Sequence, residues 1–165
     1  MKKSKRVGIY PGTFDPVTYG HIDLIGRALG IFDEVLVAVA SEGSEKSSLF
    51  SVEERLSFLR KATRSLGPRV RVESFSGLVV KFARKQGAGT MIRGVRMISD
   101  FEYEFQMALT NRKLASDIET IFLMPHESYA YLSSRLIKEI SRLGGDISAF
   151  VPGYVESALK KKFAR

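Results

Sequence analysis

The sequence contains no cysteine and no tryptophan, and only two histidines among its 165 residues. The lack of cysteine excludes disulfides, thiolate zinc sites and cysteine nucleophiles together. No apolar run approaches the roughly 18 residues that a membrane-spanning helix needs. The basic opening MKKSKR is followed by only a short apolar stretch, VGIYPG. We therefore predict no targeting segment and expect a cytoplasmic protein.

Basic residues outnumber acidic ones, 26 to 18, and the net charge is +8. Eight of the cations lie in residues 2–6 and 160–165, where there is no acidic residue. Chain ends of this kind are usually solvated and mobile. A nucleic-acid-binding module is the alternative from a different functional class, and its binding would collapse with salt and with loss of the ends. Because the rest of the chain is formally neutral, we predict neither nucleic-acid nor membrane partners.

Five apolar runs rich in β-branched residues recur along the chain, separated by segments of helical period: RVGIY, EVLVAVA, RVRVESF, TMIRG and IETIFLM. The first two are apolar almost throughout, which is typical of strands buried on both faces of a parallel sheet. Ser51 and Glu54 form a capping box, and Gly67-Pro68 ends that helix. We predict one α/β domain over residues 1–165, open, doubly wound and Rossmann-like, with about five parallel strands and helices on both faces. Its ligand should lie at the carboxyl ends of the strands, beside a switch in strand order.

The common phosphate-binding loops are missing, since neither G-x-x-x-x-G-K-[ST] nor G-x-G-x-x-G occurs. The exit of the first strand is the candidate replacement. Gly12 allows a close turn there, Thr13 offers a hydroxyl, and Gly20-His21 opens a helix whose free N–H groups favour an anion. For a lone histidine, a capped turn with a partly buried ring is the commoner explanation. With Thr13 and Gly20 beside it, anion binding is favoured.

Two arginines lie at the same predicted edge, one at the end of the fourth strand and the other three residues later. Arg93 and Arg96 read as phosphate clamps, or as partners of the acids in the next helix. Those acids are Asp100, Glu102 and Glu104.

Other polar residues have equally open interpretations. Ser133 and Ser134 start a helix, where they suit phosphate oxygens or a simple cap. Lys46, in a serine-rich loop, suits two phosphates or is merely solvated. His126-Glu127 has no second histidine four residues on, so we expect His126 in a loop and predict no protein metal site.

Three motifs together, YPGTFDPVTYGH, IRGVRMISDFEYE and LSSRLIKE, resemble bacterial phosphopantetheine adenylyltransferase. The resemblance runs from the first strand through GDISAFVPGYV, whereas the [HT]-x-G-H element alone would indicate only the wider nucleotidyltransferase superfamily. It implies adenylyl transfer from ATP to 4′-phosphopantetheine with Mg²⁺, giving dephospho-coenzyme A and pyrophosphate in coenzyme A biosynthesis. It also implies a homohexamer and coenzyme A as an inhibitor. The rival within the superfamily is transfer to another phosphorylated acceptor such as nicotinate mononucleotide.

The resemblance also implies roles for individual residues. Thr13 would contact the reacting phosphate and His21 would donate to the α-phosphate, with Lys46 and Arg93 completing the catalytic set. The implied ATP-binding residues are Thr13, Phe14, His21, Gly94, Arg96, Tyr103, Glu104, Ser133, Ser134 and Arg135. The implied acceptor-binding residues are Thr13, Lys46, Leu78, Val79, Arg93 and Asn111, with Ser76 in the same turn as Leu78. Arg135 departs from the commoner pattern, which has a small hydroxyl residue there, and Lys46 aligns only if SEGSEKSSLF holds one extra residue.

Overall fold

Five strands form one open sheet: β1 (Val7–Gly12), β2 (Glu34–Ala40), β3 (Val70–Phe75), β4 (Thr90–Gly94) and β5 (Glu119–Leu123). The computed structural model describes residues 5–41 and 48–164, with only the backbone of Ser99. The order is β3-β2-β1-β4-β5, and every neighbouring pair is parallel. The sheet grows from β1 to β3 in one direction and resumes beside β1 with β4. The predicted switch in strand order therefore lies between β1 and β4.

Successive strands are connected by α1 (Tyr19–Ala28), α2 (Val52–Thr63), α3 (Val79–Lys85) and α4 (Ile98–Leu114), and β5 is followed by α5 (Ser134–Arg142) and α6 (Gly153–Phe163). Short 3₁₀ turns occur at Arg64–Leu66 and Glu127–Tyr129. The predicted capping box of α2 is confirmed, since Ser51 Oγ accepts from Glu54 N at 3.2 Å and Ser51 N donates to the Glu54 carboxylate at 2.8 Å. Gly67 adopts a left-handed φ of 81° after the helix, a conformation that favours glycine.

Alternate residues of the central strands feed two apolar clusters, one on each face of the sheet. Tyr10, with Val35 and Val37, packs in a cluster with residues of α1, α2, α5 and α6. Ile9, with Leu36, packs in a second cluster with residues of α3. Side chains of a strand point alternately to its two faces. The near-continuous apolar runs are thus explained by burial on both faces, and the predicted doubly wound architecture is confirmed.

The basic residues near the carboxyl end are exposed to solvent, as expected, but they belong to a helix and not to a mobile tail. Lys160, Lys161 and Lys162 lie within α6. Lys162 Nζ stands 3.2 Å from the Glu54 carboxylate and 5.4 Å from the centre of the Phe50 ring. Positive charge here is part of the folded surface. No helix in residues 5–41 and 48–164 is long and apolar enough to cross a membrane.

Candidate active site

A cavity of about 520 Å³ opens where β1 and β4 end. It is closed at the sides by α1, α4, α5 and the segment before α5. Its lining residues are Tyr10, Pro11, Gly12, Thr13, Phe14, Asp15, Thr18, Gly20, His21, Leu24, Ser48, Arg93, Gly94, Arg96, Glu104, Pro125, Tyr129, Leu132, Ser133, Ser134 and Lys138. We call this the larger cavity. It lies at the switch in strand order, where open parallel sheets bind their ligands.

Phe14 shapes the exit of β1. Its backbone has a left-handed φ of 50°, and its ring makes edge contacts with His21 and Tyr10 at centroid distances of 5.1 and 5.3 Å. A Cβ at Gly12 would lie 3.0 Å from that ring. A side chain at position 12 would crowd the Phe14 ring, so glycine suits this position for a reason other than the close turn that the sequence suggested.

His21 occupies the third position of α1 and also caps it. Thr18 N donates to His21 Nδ1 at 3.0 Å, and His21 N donates to Thr18 Oγ at 3.4 Å. Because a backbone N–H can only donate, Nδ1 is an acceptor and the ring proton of the neutral imidazole lies on Nε2. Burial, with the Arg96 guanidinium nearby, lowers the pKa of His21 to about 4. At neutral pH the histidine is therefore an uncharged Nε2–H donor, and capping and donation occur together.

Gly20 lines the larger cavity, but its missing side chain faces the protein. A Cβ there would lie 3.4 Å from Tyr129 Cβ and 3.5 Å from Thr18 Oγ. Those are ordinary contact distances. This geometry gives Gly20 no part in making room for a ligand.

The two arginines singled out in the sequence both line the larger cavity, and each donates hydrogen bonds to a carboxylate and to a backbone carbonyl. Arg93 Nε donates to Glu104 at 2.6 Å, and Arg93 Nη1 donates to the Pro11 carbonyl at 2.8 Å. Arg96 Nε donates to Asp100 at 3.0 Å, and Arg96 Nη1 to the Leu132 carbonyl. Ion pairing, the alternative drawn from the sequence, thus exists alongside a placement suited to phosphate.

The start of α5 forms another wall. Ser133 is its N-cap, since its Oγ accepts from Leu136 N at 3.1 Å, and Ser134 Oγ donates to the Pro16 carbonyl at 2.7 Å. The Ser134 hydroxyl has already donated its proton to Pro16, whereas the Ser133 hydroxyl only accepts and can still donate. The Ser133 hydroxyl and the first backbone N–H groups of the helix are therefore the donors that suit an anion. Arg135 is exposed and does not line the larger cavity.

A second cavity of about 270 Å³ adjoins the first; we call it the smaller cavity. Its lining includes Val79, Tyr103 and Asn111 from α3 and α4. The structure thus places Tyr103 in the smaller cavity, beside residues that the resemblance assigned to the acceptor. Leu78, the N-cap of α3, is 49% exposed and does not line it. Ser76 is also exposed.

The two cavities share one wall. Its residues are Pro11, Gly12, Thr13, Arg93 and Glu104. Thr13 and Arg93, two of the predicted catalytic residues, therefore stand where contents of both cavities would meet. Lys46, a third, lies outside the described residues.

Four residues of the site escaped the sequence analysis. Tyr10 lines the larger cavity, and burial raises the pKa of its hydroxyl to about 12, so it stays a neutral donor. Arg55 is fully buried and donates to the carbonyls of Thr13 at 2.8 Å and Ala40 at 3.0 Å. Asp15 and Lys138 form an ion pair at 2.7 Å. Their one signal in the sequence was that Tyr10 and Asp15 lie within the motif YPGTFDPVTYGH and Lys138 within LSSRLIKE.

Comparison with known proteins places the chain in a family. The model of the Cytidylyltransferase-like family matches residues 9–140. A solved structure from Vibrio parahaemolyticus, provisionally assigned as a nicotinate-nucleotide adenylyltransferase, superposes with a TM-score of 0.67 over 94% of this chain and 99% of its own, at 19% identity. That likeness shows the fold alone and agrees with the Rossmann-like architecture. The chain belongs to the Cytidylyltransferase-like family.

The sequence relatives narrow the class. The phosphopantetheine adenylyltransferase of Methylococcus capsulatus is 57% identical over 156 residues, which cover 94% of this chain and 95% of that protein. The enzyme of the same name from Thermodesulfovibrio yellowstonii is 50% identical over 160 residues, covering 97% and 99%. Within its family, the chain belongs to the phosphopantetheine adenylyltransferases.

Proposed function

We propose that this protein transfers the adenylyl group of ATP to 4′-phosphopantetheine, giving dephospho-coenzyme A and pyrophosphate. The observation that carries the proposal is the wall shared by the two cavities, where Thr13 and Arg93 stand. A transfer between two bound molecules needs such a meeting point, because holding both reactants in line supplies much of the rate. The names of the relatives supply the identity of the acceptor.

ATP would occupy the larger cavity, with its phosphates between the start of α1 and the start of α5. Two helix N-termini aimed at one cavity favour the negative charge of a triphosphate. The arm of the acceptor would lie in the smaller cavity along Val79 and Asn111, and its phosphate would reach Thr13.

The chemical step would be an in-line displacement at the α-phosphorus. An oxygen of the 4′-phosphate forms the new P–O bond as the bond from the α-phosphorus to the bridging oxygen breaks, and pyrophosphate leaves with that oxygen. No side chain needs to form a covalent bond. Charge growing on the α-phosphate oxygens would be met by the Nε2–H of His21 and the guanidinium of Arg93.

Mg²⁺ would enter with ATP as part of the substrate. In residues 5–41 and 48–164 no three His, Asp or Glu side chains gather to hold a metal ion. The chemistry agrees, because Mg²⁺ keeps several waters and is commonly bound by substrate phosphates with few protein ligands.

We also propose a cytoplasmic homohexamer. Helix α4 supports self-association, since it presents large apolar side chains to solvent, with Ile98 88% and Phe105 46% exposed. Apolar surface of this kind is typical of contact with another protein surface. Coenzyme A would act as an inhibitor because it contains both halves of the product and would fill both cavities.

An assay of product formation tests the proposal. The protein is incubated with ATP, Mg²⁺ and 4′-phosphopantetheine, and dephospho-coenzyme A and pyrophosphate are measured. Nicotinate mononucleotide is the control acceptor. We expect equimolar formation of both products with 4′-phosphopantetheine and no product with the control. Product from nicotinate mononucleotide alone would refute the proposal and would favour adenylyl transfer to that acceptor.

A further inference from the structure

Asp15 is a buried carboxylate that the proposed chemistry does not use. Its residue is only 4% exposed, yet it lies in the wall of the larger cavity. Its Oδ1 accepts from Phe50 N at 2.9 Å, and its Oδ2 accepts from Leu49 N at 2.9 Å and from Lys138 Nζ at 2.7 Å. Three donors from two distant parts of the chain therefore converge on one side chain.

Two of the three segments joined by these bonds carry groups proposed to act on ATP, and the third contributes Ser48 to the lining of the larger cavity. Asp15 itself follows Thr13 and Phe14 in the turn after β1. Leu49 and Phe50 lead into α2, and Lys138 lies in α5, one helical turn beyond Ser134. Ser134 Oγ bonds the Pro16 carbonyl, so α5 is tied to the same turn twice. Displacement of this one carboxylate would loosen three walls of the cavity at once.

We propose that Asp15 is a positioning residue for ATP and for adenylyl transfer, acting through its ion pair with Lys138. Only the part of this inference that concerns adenylyl transfer rests on the proposed function, because the positioning of bound ATP can be measured without any acceptor. Lys138 is part of the pair and also lines the larger cavity, with 26% of its side chain exposed.

Asp15 and Lys138 depend on each other because of their opposite charges as well as their fit. A buried carboxylate is costly unless it is paired and hydrogen-bonded, and removing one partner leaves the other uncompensated. In Asp15→Asn the amide keeps one acceptor oxygen, but its NH₂ group cannot accept from Leu49 N and cannot hold the Lys138 ammonium. The turn bearing Thr13 would then shift, and small displacements of reacting groups are expensive in rate.

Asp33 provides a matched control. It accepts from the backbone N of Arg6 at 2.9 Å and pairs with the Arg6 guanidinium, so it makes the same kinds of contact. It lies just before β2, at the opposite edge of the sheet from the cavities, and its side chain is 46% exposed. Asp33→Asn removes a similar pair without touching the site.

The experiment measures two quantities for each folded variant. The first is the dissociation constant of MgATP, by calorimetry without acceptor; the second is kcat for dephospho-coenzyme A formation. The variants are Asp15→Asn, Lys138→Gln, the double variant, Lys138→Arg and Asp33→Asn. Circular dichroism and thermal melting check folding. Lys138→Gln changes a partly exposed residue, so it tests the pair even where Asp15→Asn fails to fold.

We expect Asp15→Asn and Lys138→Gln each to weaken ATP binding or lower kcat by about tenfold or more, with the double variant little worse than the poorer single one. Lys138→Arg should retain more function than Lys138→Gln, and Asp33→Asn should match the parent. The proposal is overturned if Lys138→Gln leaves both quantities within about twofold of the parent, or if the single losses multiply in the double variant. A parent that binds ATP but makes no dephospho-coenzyme A would refute the proposed function, and the ATP measurements would still decide the role of Asp15.

Discussion

Substitution of His21 separates two roles that the structure combines in one side chain. Nδ1 accepts from Thr18 N and so caps α1, while Nε2–H is free to donate to phosphate. Glutamine, glutamate and alanine divide these roles. Glutamine can accept from Thr18 N with its oxygen and donate with its NH₂, glutamate can only accept, and alanine can do neither.

The expected magnitudes differ for rate and stability. Loss of one donor aimed at a charge that grows in the transition state typically costs about 10²–10³ in kcat. Loss of one capping hydrogen bond costs about 1 kcal/mol of folding stability. His21→Ala should therefore lose both, His21→Glu should keep the cap but lose the rate, and His21→Gln should keep the cap and recover part of the rate.

Steady-state kinetics and urea unfolding on the same preparations check these expectations. The order in kcat should be parent, then glutamine, then alanine and glutamate together. The order in stability should place the glutamine and glutamate variants near the parent and alanine below them. The reasoning is refuted if glutamate supports turnover as well as glutamine does, or if His21→Ala loses less than about tenfold in kcat, since the loss would then follow the cap and not the donor.

Three further predictions follow from the same contacts. The pKa of His21 is lowered from 6.5 to about 4, so its neutral form favours folding. The contribution of His21 to folding stability is complete above about pH 6.5 and is lost as the pH falls towards 4. The urea midpoint of the parent should therefore drop more over that pH range than the midpoint of His21→Gln. Glu104→Gln leaves the Arg93 guanidinium without its carboxylate partner in a largely buried pair. We expect the free energy of unfolding in urea to fall by at most about 3–5 kcal/mol, and kcat to fall as well. An unchanged urea midpoint would contradict the pairing. Arg135→Ala should change the dissociation constant of ATP by less than about twofold in calorimetry, because Arg135 is exposed and lies outside the larger cavity. A loss of about 1.5–3 kcal/mol in ATP binding, the value of a charge-assisted hydrogen bond, would show instead that Arg135 reaches the phosphates.

The sequence predicted most of the fold because the signals were local. Strands β1 and β2 are apolar on both faces, and the Ser51 cap with the Gly67 stop bounds α2 and the short turn after it. Each of these features is written within a few neighbouring residues. The larger cavity lies where the topology predicted a ligand site, since parallel strands bring their carboxyl ends to one edge.

The parts that escaped prediction depend on tertiary pairing. Asp15 and Lys138 are 123 residues apart, and neither shows its partner in its own surroundings. Arg55 looks like a surface arginine of an amphipathic helix, because arginine is rarely fully buried. Tyr103 was assigned to ATP by the resemblance but lines the smaller cavity, because the spacing of residues on α4 gives a helix face but not what that face lines.

The proposed activity requires that the two cavities hold ATP and 4′-phosphopantetheine together for direct adenylyl transfer. The most direct measurement supplies ATP labelled at the α-phosphorus to the protein with equal concentrations of 4′-phosphopantetheine and nicotinate mononucleotide, and follows the label. We predict that the label appears in dephospho-coenzyme A, with unlabelled pyrophosphate released in equal amount. Label in the dinucleotide product of nicotinate mononucleotide, or remaining in ATP while the folded protein is present, would contradict the account.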